Sequence, residues 1–250
     1  MSTAIKEPPR VVRSEIDSDR FGFPIARVDD VRCGQIQTVL ERCQREGIVM
    51  VIVRCDGGDI DTVHDLEDAG LRLMDAQIRF TAEADANLVA DPRLRPFRSG
   101  DLDGVVAIAK RAFTGYAGHY HADQRLAPEL CDLVYPSWAA RCCSGDAADH
   151  VIVAESAGRP VAFTAFSRVN GDEGRLVLGA VLPEARGERL YAAMTSYGLW
   201  WCGTQGLRRI TAVTQTANIA AQQSWARAGL LPDSVSYTFH GWLDTTIRGS

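Results

Sequence analysis

The chain lacks any apolar run approaching the roughly 18–20 residues that a membrane-spanning helix needs, so a membrane partner is not expected. Its first residues, MSTAIKEPPRVVRSE, hold no apolar stretch of the kind a secretory signal requires. Basic charge is in deficit: 27 Lys and Arg against 32 Asp and Glu leave a net charge of -5. A nucleic-acid partner, which would want a basic face to neutralise phosphates, is therefore not expected. No C-x-x-C pair occurs among the seven cysteines, Cys33, Cys43, Cys55, Cys131, Cys142, Cys143 and Cys202. An odd, unpatterned set argues against a disulfide framework and against a zinc site, so no metal is expected. All seven read as small buried or half-buried thiols. A cytoplasmic location is the resulting expectation.

What is there suits a globular core: 46% hydrophobic and 24% charged residues over 250 positions, enough for one large domain or two modest ones. From Val11 to Phe80, strand-like and helical stretches alternate. Residues 23–28 read as a short strand, 31–46 as a helix with Val31, Ile36, Val39, Leu40 and Cys43 on one face, and 48–53 as a buried β-branched strand. A helix over 61–69, closed by Gly70, and a strand over 71–80 complete a small α/β subdomain at 11–80. Residues 81–95 are polar and serve as a linker.

The second domain, 94–243, opens with a helix over 105–113 and an amphipathic helix over 128–142. Three strands in a meander follow at 150–155, 161–168 and 175–182, joined by hairpin-type turns. The stripe Leu190, Met194, Tyr197 and Trp201 predicts one helix over 183–203, in which one of Trp200 and Trp201 is core and the other partly exposed. A strand at 209–214, a helix from Asn218 to Ala228 ended by Gly229, and a strand at 235–242 close the chain.

Two segments carry a resemblance. One runs from Leu176 through Pro183 into Arg186-Gly187; the other is Thr214-Gln215-Thr-Ala-Asn218-Ile-Ala-Ala and on to Gly229. Together with the element order they resemble the GNAT acyl-CoA N-acyltransferases. That resemblance implies an α/β fold with a mixed, mostly antiparallel sheet flanked by helices, preceded here by a smaller GNAT-like subdomain that walls the acceptor pocket. More narrowly, Ile16-Asp-Ser-Asp-Arg-Phe-Gly-Phe23 and His119-Tyr-His-Ala-Asp-Gln-Arg-Leu126 are similar to phrases of the TDP-fucosamine acetyltransferase group. The implied reaction moves an acetyl or other short acyl group from acyl-CoA to the amine of a small molecule, a nucleotide-linked amino sugar or a secondary-metabolite intermediate. A second copy of the chain and an acyl carrier protein are the other partners weighed. A GNAT-fold enzyme working without acetyl-CoA, and a non-catalytic binding module, are the competing readings.

The resemblance assigns the coenzyme A diphosphate to Arg186, Gly187, Glu188 and Arg189, where glycines of the family pattern give way to Arg189 and Tyr191. Arg189 either pairs with a phosphate or, with Tyr191, fills its space. A backbone N–H at Val181–Leu182 is expected to hold the oxyanion. Asn218 is expected to cap its helix and approach the cofactor arm. Seven residues after Asn218, where the family carries a tyrosine proton donor, stands Trp225, whose indole N–H donates but has no usable acidity. Tyr191, Tyr197 and Tyr237 are the substitutes considered. His119 and His121, two apart in a loop taken as extended, are read as a substrate-facing residue and a base, and Asp123 as a partner for a cationic amine. Tyr116, Tyr120 and Trp138 read as core or as an aromatic wall for the substrate, and Glu173, at the turn before the central strand, as a turn acid in preference to a base.

Overall fold

The computed structural model describes residues 9–116 and 118–243. They form two compact units. The first comprises residues 9–77, 118–131 and 234–243; the second comprises Ile78–Tyr116 and Asp132–Asp233. The chain thus returns twice to its first unit, whereas the sequence pattern assigns residues 118–131 and 234–243 to a continuous second domain. Among the described residues, no helix is long and apolar enough to cross a membrane.

In the first unit, β1 (Val12–Arg13) pairs antiparallel with β2 (Ile25–Val28), and β2 pairs parallel with β3 (Met50–Asp56). β10 (Leu231–Trp242) then lies antiparallel to β3, with Thr238 opposite Arg54 and His240 opposite Ile52. Successive strand residues face opposite sides. One face carries Ala26, Val28, Val51, Val53, Cys55 and Phe239, covered by Ile36, Val39 and Cys43 of α2 (Ile36–Arg45) and Leu66 of α3 (Ile60–Asp68). The other face carries Arg27, Arg54, Thr238 and His240, which α1 (Glu15–Phe21) and the one-turn α5 (His119–Ala122) reach with polar side chains.

The expected helix over 31–46 begins only at Ile36, because Gly34 sits at φ +80°, outside the helical region. The α1 helix is not anticipated at all. Its apolar content is small, and Ile16 is exposed while Asp17 and Ser18 are buried, so its pattern does not signal a core face.

In the second unit, β5 (Leu94–Pro96), β6 (His150–Ser156), β7 (Arg159–Arg168) and β8 (Glu173–Val181) form an antiparallel meander. β9 (Arg209–Gln215) joins β8 in parallel, and β4 (Arg72–Glu83) neighbours β9. α4 (Leu102–Ala112) and α7 (Val134–Ser144) cover one sheet face with Val105, Ile108, Ala139 and Cys142. α8 (Leu190–Thr204) and α9 (Ile219–Arg227) cover the other, where Met194, Tyr197, Trp201 and Trp225 are buried and Trp200 is half-buried. α8 presses close to the sheet at Gly198, where an added Cβ would lie 2.5 Å from Phe166.

Two expected helices are broken. The stretch 128–142 divides into α6 (Pro128–Asp132) and α7 at Leu133. Pro136 explains the break: its ring clashes with the carbonyl four residues back, so it is tolerated only in a first turn. The stretch 183–203 divides into a single 3-10 turn at Pro183–Ala185 and α8. Gly187 at φ +90° and Arg189 at φ +58° are left-handed and cannot continue a helix. Cys33 is exposed, against the expectation that all seven thiols are at least half-buried.

Candidate active site

In the second unit, β8 and β9 pair only as far as Leu176 opposite Ala212. Beyond that point both strands continue without pairing to each other, β8 to Val181 and β9 to Gln215. The cause is local. The β7–β8 register shifts so that Val177 is an extra residue on β8, and a bulge of this kind sharpens twist and turns a strand away from its neighbour. The Leu182 N–H donates to Val161 O at 2.9 Å, so it is committed to β7 and is not the free oxyanion donor expected there. Antiparallel alternation then turns the Gly179 and Val181 N–H groups to the opposite, unpaired edge.

The start of α8 lies against this opening. Arg189, the residue capping the helix, offers no side-chain cap to the first-turn N–H groups, where the helix dipole has its positive end. Arg186, Gly187, Glu188 and Arg189 are all exposed. The Glu188 carbonyl accepts from Arg93 at 3.1 Å, which ties the loop down. Tyr191, half-buried, lays its ring on Gly179, where an added Cβ would meet Cε2 at 3.1 Å.

Burial pushes the Tyr191 hydroxyl well above its ordinary pKa, against the opposing influence of the nearby Trp225 indole N–H. Trp225 is 2% exposed, packs edge-on to Phe80 at 5.6 Å, and its Nε1 has no hydrogen-bond partner. Tyr116 donates to Gln215 Oε1 near the end of β9 and belongs to a half-buried aromatic group with Phe113, Tyr135 and Trp138. Asn218 caps α9, accepting from Ala221 N–H at 3.3 Å and donating to Thr214 Oγ1 at 2.9 Å. Glu173 is not a turn acid. It is 4% exposed at the head of β8 and accepts from Arg209 and Thr211, both at 3.0 Å, so its oxygens are occupied by structure. Tyr197 bonds to His150 at 3.0 Å, also within the core.

His119, His121 and Asp123 belong to the first unit. They are not in an extended loop. The helical turn of α5 sends the two histidines in different directions, so His119 is buried and His121 half-buried. Asp123, 5% exposed, accepts from His240 Nδ1 and Trp242 Nε1, both at 2.8 Å, and from Arg125 N–H at 3.1 Å. No cationic amine is needed to explain it. His240 Nε2 in turn meets His119 Nδ1 at 2.9 Å. Burial raises the pKa of Asp123, but these hydrogen bonds outweigh it and hold the carboxyl below its usual range. A cavity of about 260 Å³ lies beside His121, Asp123 and Cys131.

Tyr120, also in this unit, is a buried core residue. Its hydroxyl donates to Asp17 at 2.8 Å and accepts from Arg27, and its ring packs on Phe21 at 5.5 Å. Asp17, 1% exposed, also receives Ser14 at 2.6 Å and Arg27 Nε at 2.8 Å. The two sequence phrases around Asp17 and Tyr120 therefore build one buried polar cluster. His240, Arg27 and Trp242 complete these networks and carry no sequence signal beyond ordinary strand positions.

Burial, followed by the charges of His240, Arg54, Arg27 and His121, holds His119 well below the histidine value of 6.5; burial also lowers His240, against the pull of Asp123. Both imidazoles therefore fold neutral but are free to protonate when unfolded. The unfolded chain binds more protons below pH 6.5, so stability is fully present above that value and falls as pH drops through it. Each histidine that stays neutral costs about 1.4 kcal/mol per pH unit there. Urea unfolding followed by hydrogen exchange in β3 and β10 between pH 7.5 and 5 checks this, and a flat profile would contradict it.

Thr238 is fully buried with its hydroxyl unbonded. Thr238→Val is expected to stabilise the fold by about 1 kcal/mol, since it removes a desolvated group that gains nothing back. A loss of stability in thermal unfolding would show the hydroxyl to be satisfied.

Among the described residues, no group of three or more His, Cys, Asp or Glu side chains is placed to hold a metal ion. Compared with known proteins, residues 106–230 match the family model described as Acetyltransferase (GNAT) family. The chain is 29% identical over 150 residues to the spore coat polysaccharide biosynthesis protein SpsD of Bacillus subtilis (strain 168), covering 60% of this chain and 50% of that protein. It thus spans about half the length of the curated relative it matches. Among solved structures it is similar to a GCN5-related N-acetyltransferase from Sphaerobacter thermophilus, with a TM-score of 0.62 at 13% identity over 94% of this chain and 76% of that one. A tandem GNAT protein from the clavulanic acid biosynthesis pathway gives 0.58 at 13% identity over 88% and 76%.

Proposed function

The chain belongs to the GNAT acetyltransferase family, and from that premise we propose that it moves an acetyl or other short acyl group from an acyl-CoA to the amine of a small molecule. The observation that carries this reading is the parting of β8 and β9 at the uncapped start of α8. Likeness to a polysaccharide biosynthesis protein makes a nucleotide-linked amino sugar the first acceptor to try, with the amine of a secondary-metabolite intermediate next.

The residues present fit coenzyme A on two counts. The first-turn N–H groups of α8, flanked by exposed Arg186 and Arg189, suit a diphosphate. Within the site, the buried Trp225 N–H makes no geometric hydrogen bond and acts on the Tyr191 hydroxyl, so both groups are present as donors. Bound acyl-CoA would supply an activated thioester carbonyl. The Gly179 and Val181 N–H groups are the donors available to a carbonyl oxygen that gains charge. Tyr191 holds a proton at its hydroxyl, kept there at working pH by the upward push of burial. Trp225 orients without titrating, since an indole N–H only donates.

Calorimetric titration with acetyl-CoA, followed by turnover against a panel of nucleotide-linked amino sugars, tests the reading. Saturable binding together with release of free thiol on adding one of the amines is the expected result. Absence of heat at millimolar acetyl-CoA would end the coenzyme A version.

A further inference from the structure

Arg189 stands at φ +58° and ψ +19°, a left-handed backbone that glycine adopts freely and that strains any residue with a side chain. Such a residue persists only where its surroundings over-determine it. Two fixed points flank this one. On one side, the Arg189 carbonyl accepts from Ala193 N–H at 3.0 Å, the hydrogen bond that opens α8. On the other, the Glu188 carbonyl accepts from Arg93 Nη1 at 3.1 Å. Peptide groups are planar, so Arg93 holds the plane before Arg189 and the helix holds the plane after it. The angles between those two planes are the φ and ψ of Arg189.

Arg93 can impose this because it is itself anchored. Its Nε, its Nη2 and its main-chain N–H all donate to Asp91, at 3.0, 2.7 and 2.9 Å. The next residue, Leu94, opens β5 and pairs with Ala154 of β6, so the anchor is set by the sheet. With Nε and Nη2 committed to one carboxylate, the rigid fork of the guanidinium aims Nη1 at the Glu188 carbonyl. A lysine could not repeat the arrangement, since it has one nitrogen where the fork has three.

We propose that Arg93 is a positioning residue for the start of α8. By holding the Glu188 carbonyl it keeps Arg189 left-handed, and so keeps the first-turn N–H groups of α8 in the arrangement that receives a diphosphate. It acts through the backbone and not by contact with the ligand. The inference rests on the acyl-transfer reading for the identity of that ligand; the hold on Arg189 is independent of it.

A double-mutant cycle on the full chain tests this with two readouts: exchange of the Ala193 amide by NMR without ligand, and calorimetric affinity for acetyl-CoA. Arg93→Ala is expected to speed that exchange and to weaken that affinity by about fivefold each, the size of one hydrogen bond. Arg189→Gly removes the strain, so in that background Arg93→Ala is expected to change either quantity by less than about twofold. The charge of Arg189 is missing from both members of that second comparison and cancels. Arg93→Lys keeps the charge without the fork and is expected to behave as the alanine variant. A fivefold loss in both backgrounds would overturn the proposal, because Arg93 would then act on the ligand or on the fold at large. So would full affinity in Arg93→Lys, which would make charge alone the cause. Acetyl-CoA that fails to bind the unmodified chain, while exchange follows the cycle, would end the acyl-transfer reading and leave the hold on Arg189 in place.

Discussion

Tyr191→Phe is expected to lower kcat for acetyl transfer by about 10²–10³-fold, within the range that a positioned proton donor contributes. At 225, where the resemblance puts a tyrosine, the buried indole of Trp225 makes no geometric hydrogen bond, acts only weakly on the Tyr191 hydroxyl and has no acidity to offer. Tyr191 brings a hydroxyl to the same place from α8, with its ring seated on Gly179 of the opened β8. Burial raises its pKa, so the hydroxyl is protonated throughout the neutral range and is a donor rather than a base. Phenylalanine keeps the ring contact and removes only the oxygen. Affinity for acetyl-CoA should therefore change by no more than about threefold, the size of a modest hydrogen bond. Trp225→Phe is expected to cost only about tenfold in kcat, because it deletes a neutral donor without deleting a proton. Undiminished turnover in Tyr191→Phe would move the role elsewhere; Tyr116, the other hydroxyl whose charge bears on Tyr191, would be the next variant.

How much of this was legible beforehand follows from what each element depends on. The antiparallel meander, β9, α9 and its Asn218 cap stand where alternation and turn residues place them, because those features are local. The parting of β8 from β9 was not legible. It arises from one extra residue at Val177, and a bulge leaves no mark in a run of apolar residues. The break before α8 was written as Gly187, but Arg189 in the left-handed region is a non-glycine exception that propensity does not foresee. The spacing of His119 and His121 suits an extended chain as well as a helical turn, and the four-residue turn of α5 is too short to leave a periodic signal. His240 has no signal of its own in the sequence: a lone polar residue in a closing strand shows nothing until Asp123 and His119 are brought to either side of it.

The same dependence on distant partners makes Asp17→Ala the most damaging single change expected in the first unit, at about 3–5 kcal/mol, the cost of stranding the partners of a buried charge. Asp17 is almost completely enclosed and gathers Ser14, Arg27 and Tyr120 around its two oxygens, with Arg20 at 3.3 Å. Burial would raise its pKa, but the charge of Arg27 and these donors hold it below the usual value. Removing the carboxylate leaves the Arg27 guanidinium and the Tyr120 hydroxyl to share what hydrogen bonds remain. Since the Tyr120 ring lies against His119 at a centroid distance of 3.9 Å, the loss should spread to the α5 turn. Asp17→Asn keeps one acceptor oxygen but loses the charge and turns an NH2 donor on the remaining donors, so it is expected to cost less than alanine, about 2 kcal/mol. Hydrogen exchange distinguishes this from a general weakening. Protection should fall in β2, β3 and residues 234–242 and persist in the β6–β8 meander. Equal loss in both units, or a change under 1 kcal/mol, would mean that Asp17 behaves as a surface ion pair and that its cluster does not hold the first unit together.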